Sequence, residues 1–190
     1  MLLFRAQAPE NWIERVMDHL PMVLLDHAVL ERKAATSAIN LQKYPELAEK
    51  LGELNAIAIE ELQHFGLVVE LLKRRNIPFY QLGQSRWIGG LMKSLRKGRR
   101  EQVIDHLICM ALIEGRSCEK FQLLSKALVK RDPELSKFYG SLVESEGNHY
   151  ATFWLMAREI DEAEADRRLD FYLDLDAELI VKPSPEPRLH

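Results

Sequence analysis

The sequence has few cysteines, no long apolar run and no strand-like segment, and each absence excludes a class of protein. Its two cysteines are too few for a zinc ribbon or a rubredoxin-type site. No apolar run approaches the roughly 18 residues of a membrane-spanning helix, and the first residues lack the pattern of a secretory signal. No strand is followed by a GxGxxG motif, which argues against a bound dinucleotide. We therefore expect a soluble, cytoplasmic protein.

Size and composition indicate one ordinary globular domain. The 190 residues are 47% hydrophobic and 29% charged, with a net charge of −3, so any binding of nucleic acid must come from a local basic patch. Cys109 and Cys118 fall on one predicted helix, about 13 Å apart along its axis. A disulfide needs Cα atoms within about 7 Å, so we expect free thiols.

Helical periodicity runs through most of the chain, and prolines mark the ends of its segments. The sequence predicts long helices over 22–42, 45–75, 100–130 and 133–158, and short ones over 9–19, 87–95 and 160–178. The connection between the second and third long helices, about 25 residues, is long enough to return along a bundle. We expect an all-α four-helix bundle over residues 1–180, with one long crossover connection, extra short helices near the termini and a flexible tail over 181–190.

Each long helix carries a glutamate on its apolar face: Glu31, Glu61, Glu114 and Glu146. Two of these glutamates are followed three residues later by a histidine, His64 or His149, which lies on the same helix face. The lone glutamate precedes its Glu-x-x-His partner by 30 residues in one half and 32 in the other, which indicates an internal duplication. This is the ligand set of carboxylate-bridged dimetal bundles.

Burying four carboxylates together costs several kcal/mol per ion without compensation. Two divalent cations would balance the four negative charges and accept two neutral imidazoles as ligands. Iron and manganese both suit such mixed ligands, and iron is favoured because these bundles hold iron for oxygen chemistry. The alternative is a set of buried salt bridges with lysine or arginine. His27 lies one turn before Glu31 and is interpreted as a core histidine rather than a residue that supports the metal site.

The segment from Leu71 to Arg100 is strongly basic and contains no acid. The rest of the chain therefore carries a net charge of −12. The aromatic residues Phe79, Tyr80 and Trp87 lie among the basic residues of this segment. Its nine basic residues are Lys73, Arg74, Arg75, Arg86, Lys93, Arg96, Lys97, Arg99 and Arg100. The segment is either a solvated basic loop or a surface that tracks phosphates and stacks on unpaired bases.

Four segments resemble those of the tRNA 2-methylthio-isopentenyladenosine hydroxylases, the MiaE family. These segments are LLDHAVLERKAATSA, EELQHFGLVVELLKRRNIPF, ALIEGRSCEKF and SLVESEGNHY. The resemblance extends from about Trp12 to about Arg158 and goes well beyond the metal ligands. It implies a ferritin-like bundle with a non-haem di-iron centre, whose ligands would be Glu31, Glu61, His64, Glu114, Glu146 and His149.

The resemblance also implies an activity and its partners. The activity would be oxygen-dependent hydroxylation of the isopentenyl group on the modified adenosine next to the anticodon, with O₂ as co-substrate. The basic residues would hold the tRNA anticodon stem-loop. Two electrons per turnover would come from a separate electron-donor protein.

Three other functions remain open at this point. An iron-storage protein or ferroxidase would form a shell-like oligomer and would need no basic surface. A dimanganese catalase would bind manganese and decompose peroxide. A non-catalytic helical RNA-binding protein would hold no stoichiometric metal. The missing four-cysteine iron site argues against a rubrerythrin.

Overall fold

The computed structural model describes residues 4–182 and 186–190, and every regular element in them is a helix. The helices are α1 (Trp12–Met17), α2 (Leu20–Leu41), α3 (Leu51–Arg74), α4 (Arg86–Lys93), α5 (Arg99–Leu128), α6 (Pro133–Ile160) and α7 (Glu162–Ile180). A 3₁₀ turn at Pro45–Lys50 precedes α3, so the predicted second helix begins six residues later than expected. The all-α prediction is confirmed. Within the described residues, no helix is long and apolar enough to cross a membrane.

The described chain divides into two compact units. The α2–α3 unit contains residues 16–85 and 186–189, and the α5–α6 unit contains residues 4–15, 86–182 and His190. The predicted organisation as a single domain stays a prediction.

In the α2–α3 unit, the two long helices pack through faces of apolar and small side chains. The fully buried contributors include Val23, Ala28 and Ala38 from α2 and Leu54 and Val68 from α3. Alanines on one helix let the facing backbone approach closely, and buried aliphatic groups on the other fill the space between them. This packing fixes which faces of α2 and α3 meet.

In the α5–α6 unit, local caps define the helix starts. The Asp132 side chain accepts a hydrogen bond from the Leu135 amide at 3.0 Å, with Pro133 in the first turn, as the Asp-Pro-Glu sequence predicts. Asp161 caps α7 in the same way through the Glu164 amide at 3.1 Å. α5 packs lengthwise on α6, and α4 and α7 pack against α5.

The α5–α6 unit also buries ion pairs that the sequence analysis did not anticipate. Arg116 on α5 and Asp176 on α7 are both fully buried and form a salt bridge. The Trp87 indole donates to the same carboxylate at 2.9 Å. Asp105 is also fully buried and accepts hydrogen bonds from Arg96 and Arg168. Because removing one partner of such a pair leaves a buried charge, these contacts strongly specify how α7 packs on α5.

The predicted flexible tail differs from what the structure shows at its end. Residues 183–185 lie outside the described residues. Leu189 is fully buried, and its amide donates to Asp26 at 3.0 Å. The His190 ring is also buried and stacks on Trp87, with 5.0 Å between ring centroids. An apolar side chain and an aromatic ring therefore hold the last residues against the protein, a tertiary effect that a Pro-rich composition does not reveal.

Candidate metal centre

The α2–α3 unit holds one set of three candidate ligands. Glu31 comes from α2, and Glu61 and His64 share one face of α3 because they lie three residues apart. One ligand atom from each of these side chains lies within 4.8 Å of the others, and all three side chains are buried. The Nδ1 atom of His64 lies 3.7 Å from Oε2 of Glu31. Helix pairing thus brings together two carboxylates and one imidazole.

His27 extends this set with a direct contact. Its Nε2 atom is hydrogen-bonded to Oε1 of Glu31, one helical turn away, and the imidazole is buried. A carboxylate only accepts hydrogen bonds, so His27 donates. His27 is a core histidine, as expected from the sequence, but it also orients a candidate ligand. The i,i+4 spacing to Glu31 was the available signal.

Electrostatics favour the ionised form of Glu31. Burial by itself raises the pKa of the Glu31 carboxyl. The charge of His27 and hydrogen bonds with Glu61, His27 and His64 outweigh burial, so the pKa lies well below its ordinary value. Glu31 is therefore a carboxylate, the form that binds metal ions.

The α5–α6 unit holds a second set of the same composition. Glu114 comes from α5, and Glu146 and His149 come from one face of α6. One ligand atom from each lies within 4.8 Å of the others, and all three side chains are buried. The position one turn before Glu114, which corresponds to His27, is occupied by buried Met110. The two sets therefore match in their ligands but differ in the residue behind the first glutamate.

The chemistry of these donors fits a metal ion in each unit. Each set offers two carboxylates and one imidazole, the mixture that suits iron and manganese. The side chains are buried, where a cluster of carboxylates is costly unless positive charge compensates it. Neither cysteine belongs to the groups of candidate ligands found among the described residues, and burial raises the pKa of the Cys109 thiol to about 12. Both cysteines are free, as expected.

The predicted RNA-binding residues fall into two groups, one in each unit. Lys73 and Arg74 are exposed in the last turn of α3, and Arg75 is half-buried just after it. In the other unit, the exposed residues are Arg86, Lys93, Lys97, Arg99 and Arg100. Arg100 also donates to the Ile160 carbonyl at 2.8 Å.

Two residues of the basic segment face inward. Arg96 donates through Nε and one terminal nitrogen to Asp105, at 3.0 and 2.8 Å, and forms a salt bridge with Glu164. Its guanidinium is therefore committed to the fold rather than to RNA phosphates. Trp87 is 4% exposed and bonded to Asp176, so it offers no surface for a base. The charge and aromatic pattern alone did not distinguish these two residues from their exposed neighbours.

The chain is similar to known proteins over almost its whole length. The model of the family "tRNA-(MS[2]IO[6]A)-hydroxylase (MiaE)" matches residues 1–190. A tRNA 2-(methylsulfanyl)-N(6)-isopentenyladenosine(37) hydroxylase from Pseudomonas putida is 35% identical over 184 residues, 96% of this chain and 88% of that protein. A protein of the same name from Salmonella typhimurium is 31% identical, over 96% of this chain and 85% of that protein.

A solved structure from Synechococcus supports the fold. It is described as protein 43 with aldehyde deformylating oxygenase activity, and its fold is ferritin-like. It matches 100% of this chain and 96% of its own, with a TM-score of 0.90 and 29% identity. The ferritin-like fold class is therefore confirmed. The whole-chain match and both relatives show that this chain belongs to the MiaE family of tRNA hydroxylases.

Proposed function

We propose that this protein hydroxylates the isopentenyl group of 2-methylthio-isopentenyladenosine next to the anticodon of tRNA. The observation that carries the proposal is the pair of buried Glu, Glu, His sets in a chain that belongs to a hydroxylase family. The target base lies in a single-stranded loop, so little base pairing must be broken to present it.

The six residues of the two sets would hold two iron ions: Glu31, Glu61, His64, Glu114, Glu146 and His149. Four carboxylates would balance the charge of two ferrous ions, and the two imidazoles would serve as neutral ligands. When bound, the iron supplies the activation of O₂ that insertion of oxygen into a C–H bond requires. The chain's own part is to fix the ligands, as His27 does for Glu31, and to exclude water from these buried side chains.

The reaction consumes a reductant that the chain does not carry. Hydroxylation converts R–H, O₂, two electrons and two protons into R–OH and water. The sequence contains no dinucleotide-binding motif after a strand, so we propose a separate electron-donor protein. Because the substrate is tRNA, we place the reaction in the cytoplasm.

The RNA surface would use the exposed basic residues. They are Lys73, Arg74, Arg86, Lys93, Lys97, Arg99 and Arg100, and the half-buried Arg75 would join them. Arg96 is left out because its guanidinium is bonded to buried Asp105. Neutralised phosphates release counterions, so affinity for tRNA should fall steeply with salt.

Nucleoside mass spectrometry of tRNA tests the proposal. The protein is expressed in a bacterium that makes the isopentenyl nucleoside but cannot hydroxylate it, beside Glu31→Ala and the exposed control Glu144→Ala. We expect one added oxygen with the wild type and Glu144→Ala, and none with Glu31→Ala. An unmodified nucleoside with soluble, iron-loaded wild-type protein would refute the proposal and favour ferroxidase chemistry. Bound manganese with peroxide decomposition would favour a catalase.

A further inference from the structure

Two adjacent aromatic side chains project from the loop that follows α3. Phe79 is 42% exposed and Tyr80 is 49% exposed. Two consecutive exposed aromatic side chains form a candidate interaction site, because exposed apolar surface that is not scattered singly often marks one. The loop belongs entirely to the α2–α3 unit.

The start of this loop is fixed by the end of α3. Asn76 adopts a left-handed conformation, with φ of 55°. The Ile77 amide donates to the Leu72 carbonyl at 2.9 Å and the Asn76 amide to the Lys73 carbonyl at 3.1 Å. These two bonds form a Schellman motif, and Pro78 next prevents the helix from continuing. The direction in which the chain leaves α3 is therefore set.

The far end of the loop is anchored as well. Leu82 is buried in a cluster with Leu25 and Val29 of α2. The Gly83 carbonyl accepts a hydrogen bond from Arg188 at 2.7 Å. Between these anchors, Phe79 and Tyr80 are presented on a defined backbone, which reduces the entropy lost when a ligand binds.

The two rings have different surroundings. The Phe79 ring packs edge-on against Phe65, with 5.9 Å between centroids, and the Arg32 guanidinium lies 5.5 Å from its centre. Arg32 is also hydrogen-bonded to Gln81, so a residue of the loop itself holds the guanidinium that lies beside the Phe79 ring. Tyr80 makes no hydrogen bond or ring contact with the part of the chain that the structure describes. Phe79 is thus a fixed ring and Tyr80 is an available one.

The charge around the rings is positive. Arg32 lies beside Phe79, and Lys73 and Arg74 are exposed on the turn of α3 that leads into the loop. No acid occurs between Leu71 and Arg100. Lys73 pairs with Glu70 at 2.6 Å, but both side chains are exposed, so the pair is weak and a phosphate can replace it. Aromatic rings with cations around them match single-stranded nucleic acid, whose bases stack while its phosphates meet the cations.

We propose that Phe79 and Tyr80 form a stacking platform for an unpaired base of the anticodon loop, with Lys73 and Arg74 on the neighbouring phosphates. This inference rests on the proposed function and assigns its RNA-binding step to particular residues. Phe171, on α7, provides a matched control, because it is 44% exposed and carries Arg168 at 4.3 Å from its ring but lies on an acidic helix.

The test measures binding of a synthetic anticodon stem-loop RNA with 2-aminopurine beside the target position. Affinity is determined by anisotropy at several salt concentrations, and stacking by quenching of the 2-aminopurine. We expect Tyr80→Leu and Phe79→Leu each to weaken binding about tenfold and to reduce quenching, with an unchanged salt slope. Tyr80→Trp should bind like the wild type, and so should Phe171→Leu. Lys73→Ala with Arg74→Ala should instead lower the salt slope by about 1.5.

The outcomes separate this inference from the proposed function. If Phe79→Leu and Tyr80→Leu bind the RNA, quench the 2-aminopurine and hydroxylate tRNA as the wild type does, the stacking platform is wrong. The proposed function would be unaffected by that result. Loss of turnover with unchanged RNA affinity would also overturn it and assign the rings to a protein partner. A wild-type protein that neither binds the stem-loop nor modifies tRNA would refute the proposed function itself. Far-UV circular dichroism of each variant confirms folding.

Discussion

The two units present the same three candidate ligand side chains in different surroundings. In the α2–α3 unit, buried His27 donates to Glu31, while in the α5–α6 unit the corresponding position is buried Met110. A duplicated ligand pattern therefore does not imply duplicated electrostatics, because the residue one turn before the glutamate sets how firmly that carboxylate is held. We expect both candidate ligand sets to be essential for activity. We also expect Glu31, which accepts a hydrogen bond from His27, to be held more firmly than Glu114, which has Met110 one turn before it.

The units also differ in how they use charge. The α5–α6 unit buries arginine–aspartate pairs around Asp105 and Asp176, whereas the α2–α3 unit keeps Lys73 and Arg74 exposed beside two aromatic rings. Charge in the first case specifies packing, and in the second it faces solvent. Basic residues that look equivalent in the sequence can thus either stabilise the fold through buried ion pairs or face solvent, where they are accessible to a ligand.

The largest expected effect comes from removing one ligand from either set. Glu31→Ala and Glu114→Ala should each lower hydroxylation roughly a thousandfold or more, because the metal loses a carboxylate that balances its charge. Iron per chain, measured by mass spectrometry, should fall in both variants but not in the control Glu144→Ala. Full iron occupancy in Glu114→Ala would show that the α5–α6 set is not a metal site.

The second-largest expected effect is on stability and comes from a buried carboxylate of the α5–α6 unit. Burial raises the pKa of the Asp105 carboxyl, but hydrogen bonds from Arg96 and Arg168 outweigh it and hold that pKa below its ordinary value. The carboxylate therefore stabilises the fold above its unfolded pKa of about 3.9, and this contribution is lost as pH falls through the lowered folded pKa. Asp105→Asn should reduce the free energy of unfolding at neutral pH by about 3 kcal/mol.

Urea denaturation from pH 6 down to pH 2 checks this prediction, since the variant should lose less stability with acid than the wild type does. Asp166→Asn, an exposed aspartate on α7, is the control. An identical acid dependence in wild type and Asp105→Asn would contradict the assignment.

A smaller effect tests the difference between the two ligand sets directly. His27→Met gives the α2–α3 unit the residue that the other unit has, and should weaken iron binding about tenfold because Glu31 loses its donor. Met110→Leu should leave iron affinity unchanged. Competition with a chelator measures both affinities, and equal values for His27→Met and wild type would remove the proposed asymmetry.

The smallest expected effect concerns the exposed lysines of the α5–α6 unit. Lys93→Ala with Lys97→Ala should weaken tRNA binding several-fold and lower its salt slope by about 1 to 2, because two phosphate contacts are lost. Lys130→Ala, exposed after α5, should change neither quantity. Filter binding at a series of salt concentrations measures the slope, and no change in the double variant would confine the RNA surface to the other unit.

Much of the architecture could be predicted because it depends on local chemistry. Periodicity located the long helices to within a few residues, and Asp132 with Pro133 marked the start of α6 through capping. The 3₁₀ turn before α3 was missed, since its residues also suit a helix. The Glu-x-x-His spacing placed both ligands of a pair on one face because a helix has a fixed period.

The sequence by itself therefore determined the helices and the candidate ligand types, which follow from local periodicity and residue order. Its similarity to known sequences determined the family. Only the tertiary structure decided which partners the side chains take. It placed His27 against Glu31, committed Arg96 to Asp105, and buried Trp87 while leaving Tyr80 exposed. These outcomes depend on which helix faces meet, and helix packing brings together residues whose distance along the chain carries no information about contact.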